Sequence, residues 1–131
     1  MLKRTADQEK AFRDFVRDWL SLLVENQFDR AIDLLDEPNP YGHWWTVEDL
    51  RAILRIPADS HWLSTLKLPH FMLGKERVQL FEMDERQGYI LEYAAPFMIS
   101  PPSRWQELAL RFEFRDKAEG YDVVLEDIRV I

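Results

Sequence analysis

The hydrophobic period of this chain changes once, and that change restricts the fold more than any other feature. Up to about residue 56 the apolar residues recur at helical spacing, and from Lys75 onward they alternate. Between Asp7 and Glu25, the residues Phe12, Phe15, Val16, Trp19, Leu20 and Leu23 fall on one stripe of a helix. Lys10, Arg13, Asp14, Arg17 and Asp18 take the other side, with Glu9–Arg13 and Lys10–Asp14 at supporting i,i+4 separations. Thr5 or Asp7 is placed to cap its start. Phe28, Ala31, Ile32 and Leu35 share a face of a second helix over 28–36, which Pro38-Asn39-Pro40 ends. Thr46, with Asp49 three residues on, reads as the capping box of a third helix over 46–56. Val47, Leu50, Ile53 and Leu54 give that helix its apolar face, and Pro57 follows it.

Residues 58–74 carry no assignable period. Beyond them, β-branched and aromatic residues predict strands over 77–83, 89–97, 105–115 and 121–131. Two short loops, 84–88 and 116–120, each end in Gly, as hairpins with a left-handed residue require. In the third strand Leu108, Leu110, Phe112 and Phe114 oppose Glu107, Arg111, Glu113 and Arg115, so one face meets the core and the other meets water. In the last strand Val123 and Leu125 have one parity and Ile128 and Val130 the other. A bulge near Glu126-Asp127 would return both pairs to one face. The 89–97 segment is apolar on both parities, with Ile90 and Ala94 opposite Tyr89, Leu91, Tyr93 and Phe97. A second copy packed on the sheet, forming a homodimer, is the simplest cover for such a strand.

Helices first and antiparallel strands last predict an α+β fold, helices packed on a curved four-stranded sheet. At 131 residues the chain is the size of one domain. There is no Cys, which removes disulfides, thiolate catalysis and Cys-type zinc sites. Seventeen basic residues against 24 acidic ones leave a net charge of −7, which speaks against nucleic-acid binding. The polar start of the chain, Met1 to Glu9, lacks the apolar centre of a signal peptide, and no apolar run approaches the ~20 residues of a membrane span. A soluble, cytoplasmic protein with no membrane association is expected.

The Phe12–Leu23 helix, the Phe28–Leu35 helix and the closing hairpin of Trp105–Phe112 and Tyr121–Ile128 resemble the nuclear-transport-factor-like, or cystatin-like cone, superfamily. The likeness is one of pattern over nearly the whole chain, and no diagnostic motif carries it. It departs at Tyr41–Trp45, where the family has a short strand, and over 56–74. Such a resemblance implies a cone of helices and curved sheet. Its members include isomerases, dehydratases and cyclases as well as transport, subunit and bacterial immunity proteins that catalyse nothing, so fold alone decides little about function.

Local motifs exclude more than they assign. His43, His61 and His70 are too widely spaced for a helical ligand pair, so no metal site is expected, and four Gly leave no phosphate-cradling loop or cofactor fingerprint. If the cone were an active site, as in the enzymes it resembles, His43 and Asp49 with the Tyr93 hydroxyl would be its candidates, with Glu92 facing away. Capping and loop hydrogen bonds explain His43 and Asp49 equally well.

Charge and aromatic content point elsewhere. Residues 25–59 hold eight acids and three bases, net −5 of the −7. Glu25, Asp29, Asp33 and Asp36 follow i, i+4, i+8, i+11, so a helix running through them would present one acidic stripe. Beside it come Tyr41, Trp44 and Trp45, with Trp62 further on; such side chains are common anchors at protein interfaces and also common core residues. An acidic face of this kind attracts a basic partner and speeds encounter with it, although charge runs also serve solubility alone. The expectation is therefore a non-catalytic protein-binding module, of the kind an immunity protein presents to a basic toxin. The alternative is a small-molecule-binding or isomerase/dehydratase-like enzyme using the cone interior.

Overall fold

The computed structural model describes residues 1–54, 75–99 and 104–131. His61, Trp62 and His70, the end of the expected third helix at 55–56 and the 100–103 connection lie outside them. The elements run β1 (Leu2–Lys3), α1 (Gln8–Val24), α2 (Phe28–Asp33), α3 (Val47–Ile53), β2 (Arg77–Glu82), β3 (Gly88–Ile99), β4 (Arg104–Lys117) and β5 (Gly120–Val130). The strands make one strongly curled antiparallel sheet in the order β1-β5-β4-β3-β2. The class is α+β. Among the described residues no helix is long and apolar enough to cross a membrane.

Among the described residues the sheet has five strands where the alternation predicts four. The extra one, β1, is two residues long and too short to show a period. It pairs through Leu2↔Tyr121 and Lys3↔Gly120. Gly120 is what admits it, since a Cβ there would run into the Leu2 carbonyl. Gly120 is thus required for close approach, and the left-handed backbone expected of it is absent. In the other hairpin the left-handed residues include Glu85, Arg86 and Gly88.

Helix α1 begins as the sequence predicts, with Asp7 Oδ1 accepting from the Lys10 N–H at 3.1 Å. Its stripe is the centre of the core: Phe12, Val16 and Trp19 have no exposure, and Leu20 and Leu23 have almost none. They meet the alternating inward residues of the sheet, among them Leu91, Phe97, Leu110, Phe112, Phe114, Val123 and Leu125. Phe12 stacks on Phe114 at 4.2 Å between ring centroids and takes the edge of Tyr121 at 5.1 Å. Such pairs add about 0.5–1.5 kcal/mol each beyond area burial. The Trp19 indole N–H donates to the Ala31 carbonyl at 2.9 Å, tying α1 to α2 without leaving a buried donor unpaired. The register of β4 on β5 shifts between Arg111↔Asp127 and Phe112↔Leu125. Glu126 is the extra residue, so Leu125 and Ile128 both reach the core, as the parity change requires.

The acidic stripe, in contrast, is not one helical face. Asn26 takes a left-handed φ of 59°, and the Gln27 N–H donates to Leu22 O at 2.8 Å while Asn26 N–H donates to Leu23 O at 3.1 Å. This is a Schellman ending, which Asn tolerates better than most residues, and it turns the chain away from α1. Glu25 belongs to the cap of α1 and Asp36 lies beyond the end of α2. The second face of β3 is also less apolar than its composition implies: Ile90, Glu92, Ala94 and Pro96 lie there half-buried, and Glu92 pairs with Arg111 at 2.9 Å.

Candidate binding surface

The stretch from Leu34 to Thr46 leaves α2, passes along the free edge of β5 and enters α3. It is fastened at three points. Asp36 behaves like a strand residue, its N–H donating to the Val123 carbonyl at 2.8 Å while its Oδ2 accepts from the Val123 N–H at 2.8 Å. The edge is thereby blunted against other strands at that position. Glu37 accepts from Arg115 at 2.7 Å, and Arg115 also holds Glu113 at 2.9 Å. The Trp45 indole N–H donates to the Leu125 carbonyl at 2.7 Å, a second edge position.

Between these fastenings the loop closes on itself. Asn39 Oδ1 accepts from the Tyr41 and His43 N–H groups at 3.0 and 2.9 Å, and the Asn39 N–H donates to the His43 carbonyl at 2.9 Å. An Asn side chain standing in for backbone in this way is the standard device of an Asx turn. Gly42 supplies the left-handed residue, φ 84°, with open space where a Cβ would be. His43 Nε2 lies 2.6 Å from Asp49 Oδ2, and its ring meets that of Trp45 edge-on at 5.7 Å. Asp49 Oδ2 also accepts from the Thr46 N–H at 2.9 Å, while Thr46 Oγ1 accepts from Asp49 N–H at 3.1 Å, completing the predicted capping box. Burial pushes the Asp49 carboxyl up, but the hydrogen bonds from His43 and Thr46 outweigh it and hold its pKa below the usual range.

The result is a braced loop with large side chains directed outward. Tyr41 is 93% exposed and Trp44 57%, whereas the neighbouring Trp45 is half-buried. Leu34 is also exposed, and Asp29 and Asp33 stand on the outer side of α2, whose Phe28 and Ala31 are buried. Of the seven residues expected to bind a partner, Glu25, Asp29, Asp33, Tyr41 and Trp44 are exposed; Asp36 and Trp45 are occupied in fastening the loop to β5.

The residues considered for catalysis divide. His43 and Asp49 come together at the surface, on the loop and the start of α3. Tyr93 has other partners: from the core face of β3 its hydroxyl donates to Glu76, which also receives Arg17 of α1. Burial raises the Glu76 pKa, but Arg17, Tyr93 and Arg13 together draw it below the usual carboxylate range. The same burial, with the Glu76 carboxylate beside it, pushes the Tyr93 hydroxyl far up. At neutral pH that hydroxyl is a fixed donor to an internal carboxylate. Nothing in the sequence marks this pairing, since Glu76 is a lone acid before a strand and Arg17 lies on the polar side of α1. A groove of 760 Å³ lies on the opposite face of the sheet, over Ala94 and Ala109. Among the described residues no cluster of three or more His, Asp or Glu could hold a metal ion.

Comparison with known proteins gives no match: no family model, no curated protein and no solved structure is similar to the chain.

Proposed function

We propose that the protein is a binding module whose contact surface is the 39–44 loop with the acidic outer side of α2, and whose partner is a protein with a basic surface. The observation that carries this reading is Tyr41, 93% exposed on a loop braced by Asn39, with Trp44, also exposed, three residues on in the same loop. Large aromatic side chains on a pre-ordered loop bind with little entropy loss, and Trp and Tyr are enriched among the few residues that carry most of the binding energy of protein interfaces. Asp29 and Asp33 supply a field that steers a basic partner, with the net charge of −7 behind them.

An immunity-type role, cytoplasmic and directed at a basic toxin, is the specific form of this proposal, as is membership of the nuclear-transport-factor-like superfamily. The order of helices and curled antiparallel sheet supports the latter; the short β1 is a departure from the four-stranded expectation. The enzyme reading is the weaker one, because Tyr93 is committed to Glu76 and Arg17 while His43 and Asp49 lie at the surface.

Parallel capture from lysate with three baits tests the proposal: the natural chain, Tyr41→Ala/Trp44→Ala, and Asp29→Lys/Asp33→Lys. The expected result is a basic protein held by the natural chain, released by salt, and lost by both variants. Equal retention by all three baits, or no specific protein on any, would overturn it.

A further inference from the structure

At its root the 34–46 loop brings two consecutive acids, Asp36 and Glu37, to the β4–β5 hairpin, where the register already sets Asp122 opposite Arg115. Asp36 is satisfied on both oxygens: Oδ1 accepts from the Met1 ammonium and Oδ2 from the Val123 N–H, each at 2.8 Å. Arg115 is divided between Glu37 Oε1 at 2.7 Å and Glu113 Oε2 at 2.9 Å. Lys117 Nζ stands 3.9 Å from both Glu37 Oε2 and Asp122 Oδ2, beyond hydrogen-bond length from either. With Asp36 paired elsewhere, Glu37, Glu113 and Asp122 thus share only Arg115 and Lys117, and the cluster is one positive charge short.

The shortfall settles on one atom. Glu37 Oε2 is buried, and among the described residues no donor reaches it. A buried acceptor left in that state costs stability. The Asp122 carboxyl lies within hydrogen-bonding reach of Glu37. Two ionised carboxylates at that range only accept and repel each other, whereas a proton on one turns it into a donor. Glu37 already accepts from Arg115 through its other oxygen, so Asp122 is the one to carry the proton.

We propose that Glu37 and Asp122 hold one proton between them, the Asp122 O–H donating to Glu37 Oε2, and that this bond is a pH-sensitive latch closing the root of the loop onto β5. The charges around Asp122 are Asp36 and Glu37 of the loop, Arg115 and Lys117 of β4 and, through Asp36, the Met1 ammonium. Burial raises the Asp122 pKa above the ordinary Asp value, and the hydrogen bond with Glu37 and the charges of Asp36 and Glu37 raise it further, against the pull of Lys117. Because the folded value is the higher one, the contribution of the latch is complete below the unfolded value of about 3.9 and is lost as pH rises through the folded value. The Glu76 pair has the opposite sign, being lost as pH falls. Once the proton leaves, two facing carboxylates push the root of the loop from β5, and the 39–44 segment is most firmly seated in acid. The latch belongs to the fold of the loop and stands whether or not that loop binds a partner.

Carbon-13 NMR of the Asp122 side-chain carboxyl in the full chain tests this, with Glu37→Gln and Asp122→Asn studied alongside. In the natural chain Asp122 should titrate clearly above the ordinary value of about 3.9. Glu37→Gln should bring it down, since the change removes a negative charge and offers an amide donor to the Asp122 carboxylate. In Asp122→Asn the new amide donates to Glu37 Oε2 at every pH. The advantage of that variant over the natural chain in urea unfolding should therefore widen as pH rises from about 4 to about 7. At about pH 7 its Asp36 amide, which is bonded to the Val123 carbonyl, should exchange with solvent about threefold or more slowly than in the natural chain, and at about pH 4 the two should match. Titration of Asp122 at or below the ordinary value would overturn the proposal, as would a raised value that Glu37→Gln leaves in place. A difference between Asp122→Asn and the natural chain that does not change with pH would equally overturn it.

Discussion

The interface of α1 with the sheet and the loop along the β5 edge use the same residue type in opposite ways. Trp19 in the first has no exposure and gives its indole N–H to Ala31; Trp45 in the second is half-buried and gives its N–H to Leu125; Trp44, next to it, is 57% exposed. In the interior, side chains are determined by what surrounds them, and the buried Trp19 donor meets its acceptor. On the loop, backbone geometry is fixed by Asn39, Asp36 and the Thr46–Asp49 box, while the Tyr41 and Trp44 side chains stand exposed. Order in a segment with side chains held in solvent is what a pre-formed contact surface requires.

The contrast can be broken most forcefully at Trp19. Trp19→Ala removes a fully buried indole and leaves the Ala31 carbonyl without its partner, and should cost about 3–5 kcal/mol in denaturant unfolding. A loss below 1 kcal/mol would mean that α1 is not seated on the sheet as described.

A smaller effect is expected at Glu76, which joins α1 to β3 through Arg17 and Tyr93. Because its folded pKa is depressed, its contribution is present above the ordinary Glu value of about 4.3 and is lost as pH falls through the lower folded value. Glu76→Gln should destabilise by about 1–2 kcal/mol at pH 7, discounted because Arg17 is partly exposed, and should flatten the acid limb of the stability profile. Parallel profiles for the two chains would remove the ion pair from the account.

Much of the interior was legible in the sequence, for reasons tied to particular residues. The Phe12–Leu23 stripe is long enough to define a period, Thr46 and Asp49 have the spacing a capping box needs, and the parity change after Leu125 has few remedies other than a bulge. What was missed involves contacts with no local signature. The short β1 exists because Gly120 lets it approach, and the Arg17–Glu76 pair joins residues 59 positions apart. The acidic stripe is broken at Asn26, which turns left-handed, and charge spacing carries no sign of that turn. Of the proposed surface, the exposure of Tyr41 and Trp44 was open in the sequence, since a Trp-Trp pair reads equally as core or as contact. The division between Trp44 and Trp45 came only from the β5 edge.

That division is also the most direct point of test. Urea unfolding of Trp44→Ala and Trp45→Ala, side by side, separates a side chain that serves the fold from one that does not. Trp45→Ala should lose about 2 kcal/mol through its packing and its hydrogen bond to Leu125, and Trp44→Ala should stay within about 0.5 kcal/mol of the natural chain. Equal losses at the two positions would show that Trp44 is part of the core and would contradict the reading of the loop as a free contact surface.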